Sequence, residues 1–388
     1  MGLAIYLDYN ATTPVDERVL ETMLPYFSEK FGNAASKTHA YGWIADEAVS
    51  RARGQIATML NAEPGEIIFT SGATEAINLA LKGVFEAYRT KGNHIVTVAT
   101  EHKAVLDTCR HLEKSGAHVT YLPVNNHGLI DPDELRKAIT NKTILVSVMV
   151  ANNETGVIQP VKKIAELVHE KNCLFMSDAT QACGKIKVDV EEDQIDLVCL
   201  SAHKFYGPKG TGALYVRRKN PRVSLSPLID GGGHEKGLRS GTLNVPAIVG
   251  FGKACELAVS EMKDDAARIS ILRDELEKKL KEIGNVFLNG YTEHRLYNVT
   301  NLSFEQVHAN AMISELKTIA VATGSACTSA IQEPSHVLKA MGVKDERAYS
   351  AIRFSLGKFT TEEEIKSAIK NVQEAVMKLR SQNVQITG

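Results

Sequence analysis

The sequence predicts an α/β protein: a mostly parallel, seven-stranded sheet with helices on both faces, plus a smaller α+β region. Three observations lead there. From residue 66 onward, short apolar runs alternate with longer amphipathic ones, the pattern of strands joined by crossover helices. Residues 143–150 form a continuous apolar run rich in Val and Ile, as expected of a strand buried on both faces. After Pro246 the alternation gives way to one long helical stretch.

In chain order, Glu66–Thr70 reads as a strand, Glu75–Tyr88 as a helix and His94–Ala99 as a strand. His102–Lys114 reads as helix and Val119–Leu122 as strand. Asp131-Pro132 is an N-cap followed by proline at the first helical position, opening a short helix through Ala138. Thr143–Val150 is the next strand and Pro160 opens the next helix; Leu174–Ser177, Ile195–Leu200 and Gly212–Val216 complete the strands. The long helix after Pro246 runs to about Ile283. The last helix opens on the capping box Thr361-x-x-Glu364. Its apolar stripe, Ile365, Ile369, Val372, Val376 and Leu379, is core packing. The expected division is a large domain over 15–255 and a small one over 1–14 and 256–388, with the strand-like Ala4–Leu7 compatible with either.

A chain of 388 residues, 44% hydrophobic and 23% charged, is ordinary globular protein and needs neither disulfide nor metal to fold. Its 45 basic and 46 acidic residues give a net charge of -1, so no global field draws it to nucleic acid or anionic membrane. The basic run Arg217-Arg218-Lys219, with Arg222 nearby, reads as a solvated turn. The six cysteines include no C-x-x-C pair, and the twelve histidines no HExxH, so no metal site is expected. The start lacks a basic, apolar leader, and no apolar run reaches ~18 residues, which points to a cytoplasmic protein with reduced thiols.

Five segments fall at predicted carboxyl ends of strands, where such sheets bind ligands. They are Thr70–Thr74, Thr100–His102, Asn152–Glu154, Asp178–Gln181 and Ser201–Lys204. Together they gather an anion cradle, an imidazole, an amide, a carboxylate and an amine. Ser71-Gly72-Ala73-Thr74 lets backbone donors approach a phosphate, but fits neither GxxxxGK[ST] nor GxGxxG, which argues against ATP and NAD. A lysine ending a buried strand, Lys204, costs stability unless paired or covalently used, as in a Schiff base with an aldehyde cofactor. Asp178 could keep a pyridinium nitrogen protonated. Cys327 sits among small polar residues, Ala322–Ala330, as a reactive loop thiol would, whereas Cys109, Cys173, Cys199 and Cys255 read as small core hydrophobes. Arg239 or Arg353 could clamp a carboxylate, and either could instead form an ordinary ion pair.

These pieces resemble the group I cysteine desulfurases, the NifS/IscS-like enzymes of the class V aminotransferase family. The resemblance runs from Tyr6-Leu7-Asp8-Tyr9-Asn10-Ala11-Thr12-Thr13-Pro14 to Arg353-Phe354-Ser355-Leu356-Gly357. Its most specific parts are SAHKFYGPKG at 201–210, GGGHEKGLRSGT at 231–242 and TGSACTSA at 323–330. It implies fold type I of the pyridoxal phosphate-dependent transferases and the conversion of L-cysteine to L-alanine, with a persulfide formed on the enzyme. Lys204 would hold the cofactor as a Schiff base, Asp178 its pyridinium nitrogen and Gln181 its ring hydroxyl, with His102 stacked on the ring. Ala73, Thr74, Ser201 and His203 would bind the phosphate, with Thr242 reaching in from the other subunit of a homodimer. Asn153 and Arg353 would take the substrate carboxylate, and Cys327 the sulfur, for passage to an iron–sulfur scaffold or another acceptor protein.

The sequence departs from the family's usual pattern at Ala34, Cys183 and His308–Ala311, and ends at Gly388 where housekeeping members commonly run on. The expectation is a normal catalytic set and weak binding to a housekeeping scaffold. Two alternatives are another class V reaction, which would not need Cys327 in a Gly/Ser loop, and a docking platform without activity, which would have lost Lys204 or Asp178.

Overall fold

The computed structural model describes residues 4–323 and 333–387. The chain opens with β1 (Ile5–Tyr6) and three helices, α1 (Glu17–Met23), α2 (Pro25–Ser28) and α3 (Ala40–Leu60). The alternating part follows as β2 (Ile67–Thr70), α4 (Ala73–Ala87), β3 (His94–Val98), α5 (Lys103–Lys114), β4 (His118–Leu122) and α6 (Pro132–Ala138). It continues as β5 (Thr143–Ser147), α7 (Val161–His169), β6 (Leu174–Asp178), β7 (Leu197–Ser201) and β8 (Gly212–Val216). Then come α8 (Val245–Lys281), β9 (Val286–Leu288), β10 (Val299–Phe304), α9 (Ala309–Glu315) and β11 (Ile319–Ala320). The chain closes with α10 (His336–Ala340), α11 (Asp345–Ala348), β12 (Ala351–Ser355) and α12 (Glu362–Thr387).

The seven strands expected from the sequence form one sheet in the order β2-β8-β7-β6-β5-β3-β4. It is parallel except at β8, which runs antiparallel to both neighbours. Central strands β5, β6 and β7 are buried at every position, which explains why they read as unbroken apolar runs rather than alternating ones. The strand expected to reach Val150 leaves the ladder after Ser147, yet Val148 and Val150 still donate to the backbone of Met176 and Asp178.

The long helix expected after Pro246 is α8, a single element of 37 residues. Its first part, through Cys255, packs with the large sheet's core, and the part from Ile269 packs with β10, β12 and α12. Residue 255, the expected boundary, lies inside this helix. The capping box is made as expected: Thr361 N–H donates to Glu364 Oε2 at 2.9 Å, and Glu364 N–H to Thr361 Oγ1 at 3.2 Å. The N-terminal segment pairs away from the large sheet, β1 with β11 and Asp8 with Ser355 of β12. Helices α1 to α3 and the antiparallel sheet β9-β10-β12 were not delineated by the sequence pattern.

Candidate active site

A cavity of about 690 Å³ opens at the carboxyl ends of the large sheet's strands. One wall comes from the turns after β2, β3, β6 and β7. The opposite wall comes from the N-terminal segment 8–12 together with Arg353 of β12.

The anion cradle is the start of α4. Gly72, its N-cap, has φ +154°, and no side chain caps the helix, so its first-turn N–H groups are left for a ligand. The packing here is tight enough to demand glycine: a Cβ on Gly212 of β8 would lie 2.7 Å from Gly72 Cα. Ala73, Thr74, Ser201 and His203 all line this end of the cavity. Burial, aided by Lys204, pushes the His203 pKa down to about 4, so its imidazole is neutral at neutral pH.

Lys204 lies in the one-turn helix Ala202–Lys204 that follows β7. Its Nζ donates to the carbonyls of Asn10 and Ala11, each at 2.7 Å. Burial and then the charge of Arg353 push its pKa down to about 8. It has no ion-pair partner among the described residues. Asp178 closes β6, buried, with Oδ1 accepting from Thr180 N–H at 2.9 Å. Gln181 follows, its Nε2 donating to Asn10 O at 2.9 Å. His102 caps α5, its Nδ1 accepting from Ala104 N–H at 3.1 Å, with its ring accessible from the cavity. The surrounding protein nevertheless lowers its pKa.

Arg353 donates through Nη1 to Asn153 O at 2.9 Å and through Nη2 to Asp8 Oδ1 at 2.6 Å. Its Nε is buried with no partner among the described residues. Its backbone pairs with Ala322, and Ala322 and Thr323 line the cavity too. Cys327 lies outside the described residues. The alternative clamp, Arg239, pairs instead with Glu75 at 2.8 Å and does not line the cavity. Thr242 is exposed and is also absent from the lining. The five described cysteines are all buried, and burial pushes the Cys109 and Cys183 thiols up to about 12.

Sequence reasoning missed Asp8, Asn10, Glu101 and Lys185. Asn10 receives both Lys204 and Gln181 on its backbone carbonyl, a role that residue type does not reveal. Glu101 is fully buried beside His102; Oε1 accepts from Met149 N–H at 2.7 Å, and burial raises its pKa well above the carboxylate range. Its position directly before His102, at a strand's carboxyl end, was the available signal.

The residues present fit pyridoxal phosphate. An uncapped helix start suits its phosphate, a pKa-lowered amine its aldehyde, and a buried carboxylate its pyridine nitrogen. Thr180 Oγ1, buried on the cavity wall, has no partner among the described residues.

Comparison with known proteins agrees with this geometry. The family model for aminotransferase class-V matches residues 5–367. A cysteine desulfurase IscS from Anaeromyxobacter sp. (strain Fw109-5) is 55% identical over 381 residues, 98% of this chain and 94% of that protein. Among solved structures, a NifS-like protein superposes with a TM-score of 0.91 at 41% identity, covering 97% of this chain and 100% of that one. SspA in complex with cysteine superposes with a TM-score of 0.81 at 37% identity, covering 92% and 100%. The chain belongs to the class V aminotransferase family, in its pyridoxal phosphate-dependent NifS/IscS-like cysteine desulfurase branch.

Proposed function

We propose that this chain converts L-cysteine to L-alanine and retains the substrate's sulfur as a persulfide on Cys327. The observation that carries this is the convergence, on one cavity, of Lys204, Asp178, Gln181 and His102 with Asn153 and Arg353. Bound pyridoxal phosphate supplies an aldehyde for an amine and a sink for negative charge on the adjacent carbon.

The chain's own groups do the rest. Lys204, with a pKa near 8, takes a proton from the substrate carbon and returns it. Asp178, fixed by Thr180 N–H, would keep a proton on the cofactor's ring nitrogen. His102 would stack on the ring, and Gln181 would donate to the ring hydroxyl. The start of α4, with Ser201 and His203, would hold the phosphate. Arg353, its direction set by Asp8 and Asn153 O, takes the substrate carboxylate along with Asn153. The Cys327 thiolate attacks the substrate sulfur. An S–S bond forms as the C–S bond breaks, and the C–S electron pair stays on carbon and is protonated. Cys327–SH and L-cysteine thus give Cys327–SSH and L-alanine.

The proposal extends to a homodimer in which Thr242 serves the neighbouring site. Two features support it: Thr242 is exposed in its own subunit, and the large apolar side chains of Leu24, Phe27, Phe31 and Trp43 are each exposed. It also takes in the two-domain division at 255, a cytoplasmic location and an acceptor protein, an iron–sulfur scaffold or another carrier, for the persulfide. No described helix is long and apolar enough to cross a membrane.

The decisive experiment is Cys327→Ser. The variant should keep bound cofactor and still change its visible spectrum on adding L-cysteine, while alanine release falls by at least ~1,000-fold. Normal turnover would remove Cys327 from the reaction.

A further inference from the structure

Lys185 is buried, yet no carboxylate pairs with it among the described residues. Among the described residues its Nζ donates to Gln181 alone, reaching the backbone O at 3.0 Å and the side-chain Oε1 at 3.2 Å. Burial, then the nearby charge of Lys204, pushes its pKa down to about 7. A lysine in this position costs stability and does not recover it through an ion pair.

What it gains is control of an amide. The two ends of a glutamine amide have nearly the same shape and opposite hydrogen-bond character, so neighbours decide which end points where. Gln181 has Lys185 at its oxygen and the Asn10 carbonyl at its nitrogen, 2.9 Å away. Turned over, the amide would set oxygen against the Asn10 carbonyl oxygen and, while Lys185 is protonated, N–H against the lysine's own N–H groups. The Asn10 carbonyl is fixed in turn, because it also accepts from Lys204 at 2.7 Å.

We propose that Lys185 is a positioning residue that locks the Gln181 amide with its N–H edge toward the cavity, so that Gln181 can only donate to the cofactor's ring hydroxyl. This rests on the reading that pyridoxal phosphate occupies the cavity with that hydroxyl at Gln181. A donor at the ring oxygen favours its ionised form. The lock therefore lowers the pH at which the bound chromophore loses its proton. The titratable groups facing Lys185 are Lys204, Cys183 and His203. Lys204 is engaged with the cofactor, Cys183 titrates near 12 and His203 near 4, so the group that changes charge in the neutral range is Lys185 itself, and it keeps N–H donors in both of its forms.

The test is the visible absorbance of the holoenzyme followed against pH. Lys185→Met keeps the length of the side chain and removes its donor. We expect the spectral midpoint to rise by roughly 0.5–1 pH unit, the size of one hydrogen bond. Gln181→Leu should raise it similarly, and the double variant should rise no further than either single one. Lys185→Gln retains an N–H and is expected to stay near the wild-type midpoint; it also serves if Lys185→Met does not fold. A midpoint unmoved by Lys185→Met but raised by Gln181→Leu overturns the lock alone. Additive shifts in the double variant overturn it as well, since Lys185 would then act by another route. A Lys185→Gln midpoint as high as that of Gln181→Leu does the same. If Gln181→Leu moves nothing, the placement of the ring hydroxyl fails, and the lock fails with it.

Discussion

At the amino end of the large sheet, His94 pairs both ring nitrogens with hydroxyls, Nδ1 with Thr143 Oγ1 at 2.7 Å and Nε2 with Thr120 Oγ1 at 2.9 Å. At the same end, Asp196 Oδ2 accepts from His169 Nε2 at 2.9 Å and from Phe175 N–H at 2.8 Å. Around the cavity at the carboxyl end, Thr180 Oγ1 and Arg353 Nε are buried with no partner among the described residues, and Lys204 rests on two carbonyls instead of a carboxylate. Both ends bury polar side chains. At the first the named groups pair with one another, with Asp196 Oδ1 3.5 Å from Arg217 Nε; at the second they belong to residues that line the cavity. The contrast separates residues whose loss unfolds the protein from residues whose loss only silences it.

The largest expected effect is at the carboxyl end. Lys204→Ala should lower alanine formation from L-cysteine by at least ~1,000-fold, because both the cofactor bond and the proton carrier are lost. The cofactor-free protein should melt no lower than wild type, since a buried amine without an ion pair is removed. A large fall in Tm would show that Lys204 also holds the fold together and would blur the contrast. Arg353→Lys should be milder. The planar fork that reaches Asp8 and Asn153 O together is lost, and KM for L-cysteine should rise ~10–100-fold with kcat less affected. A change confined to kcat would mean that Arg353 does not bind the ground-state carboxylate.

The amino end should behave oppositely, and with smaller numbers. His94→Leu should cost ~1–3 kcal/mol of stability while leaving activity per folded molecule unchanged. Its pH dependence has a definite sign. Burial, then His118, holds the His94 pKa below the unfolded value, so its protonation opposes folding, and stability is lost as pH falls below about 6.5. The neighbouring His169 runs the other way. Its hydrogen bond to Asp196 raises its pKa, so its contribution is full below about 6.5 and fades as pH rises through the folded value. The Tm deficit of His169→Gln should therefore be larger at acidic than at alkaline pH. A deficit independent of pH would show that the ion pair adds nothing beyond packing.

Much of this was legible in the sequence where local chemistry decides. The seven strands announced themselves by apolar runs, and Lys204, Asp178, His102 and the Ser71–Thr74 turn by their places at strand ends. What distant segments do to one another was not legible. Nothing local distinguishes Arg353 from Arg239; Glu75 claims one and the cavity keeps the other. Asn10 acts through its backbone carbonyl, which every residue has. Lys185, in the run Gly184-Lys185-Ile186-Lys187, looks like any surface lysine until the fold buries it against Gln181. Position 255 marked a change of texture, while α8 carries straight through it from one core to the other.

The pairing of Asp8 with Arg353, 345 positions apart, also has a consequence for how the enzyme is born. The cofactor half of the cavity, with Lys204 on Asn10 and Ala11, can assemble on a nascent chain once β8 has been made, since β2 joins the sheet through β8. The carboxylate clamp needs β12, which emerges from the ribosome about 150 residues or roughly 10–30 s later. During that interval a growing chain could hold its cofactor without a completed seat for the amino acid. The order of synthesis thus keeps the reactive amine from meeting a properly held substrate until almost the whole protein is in place.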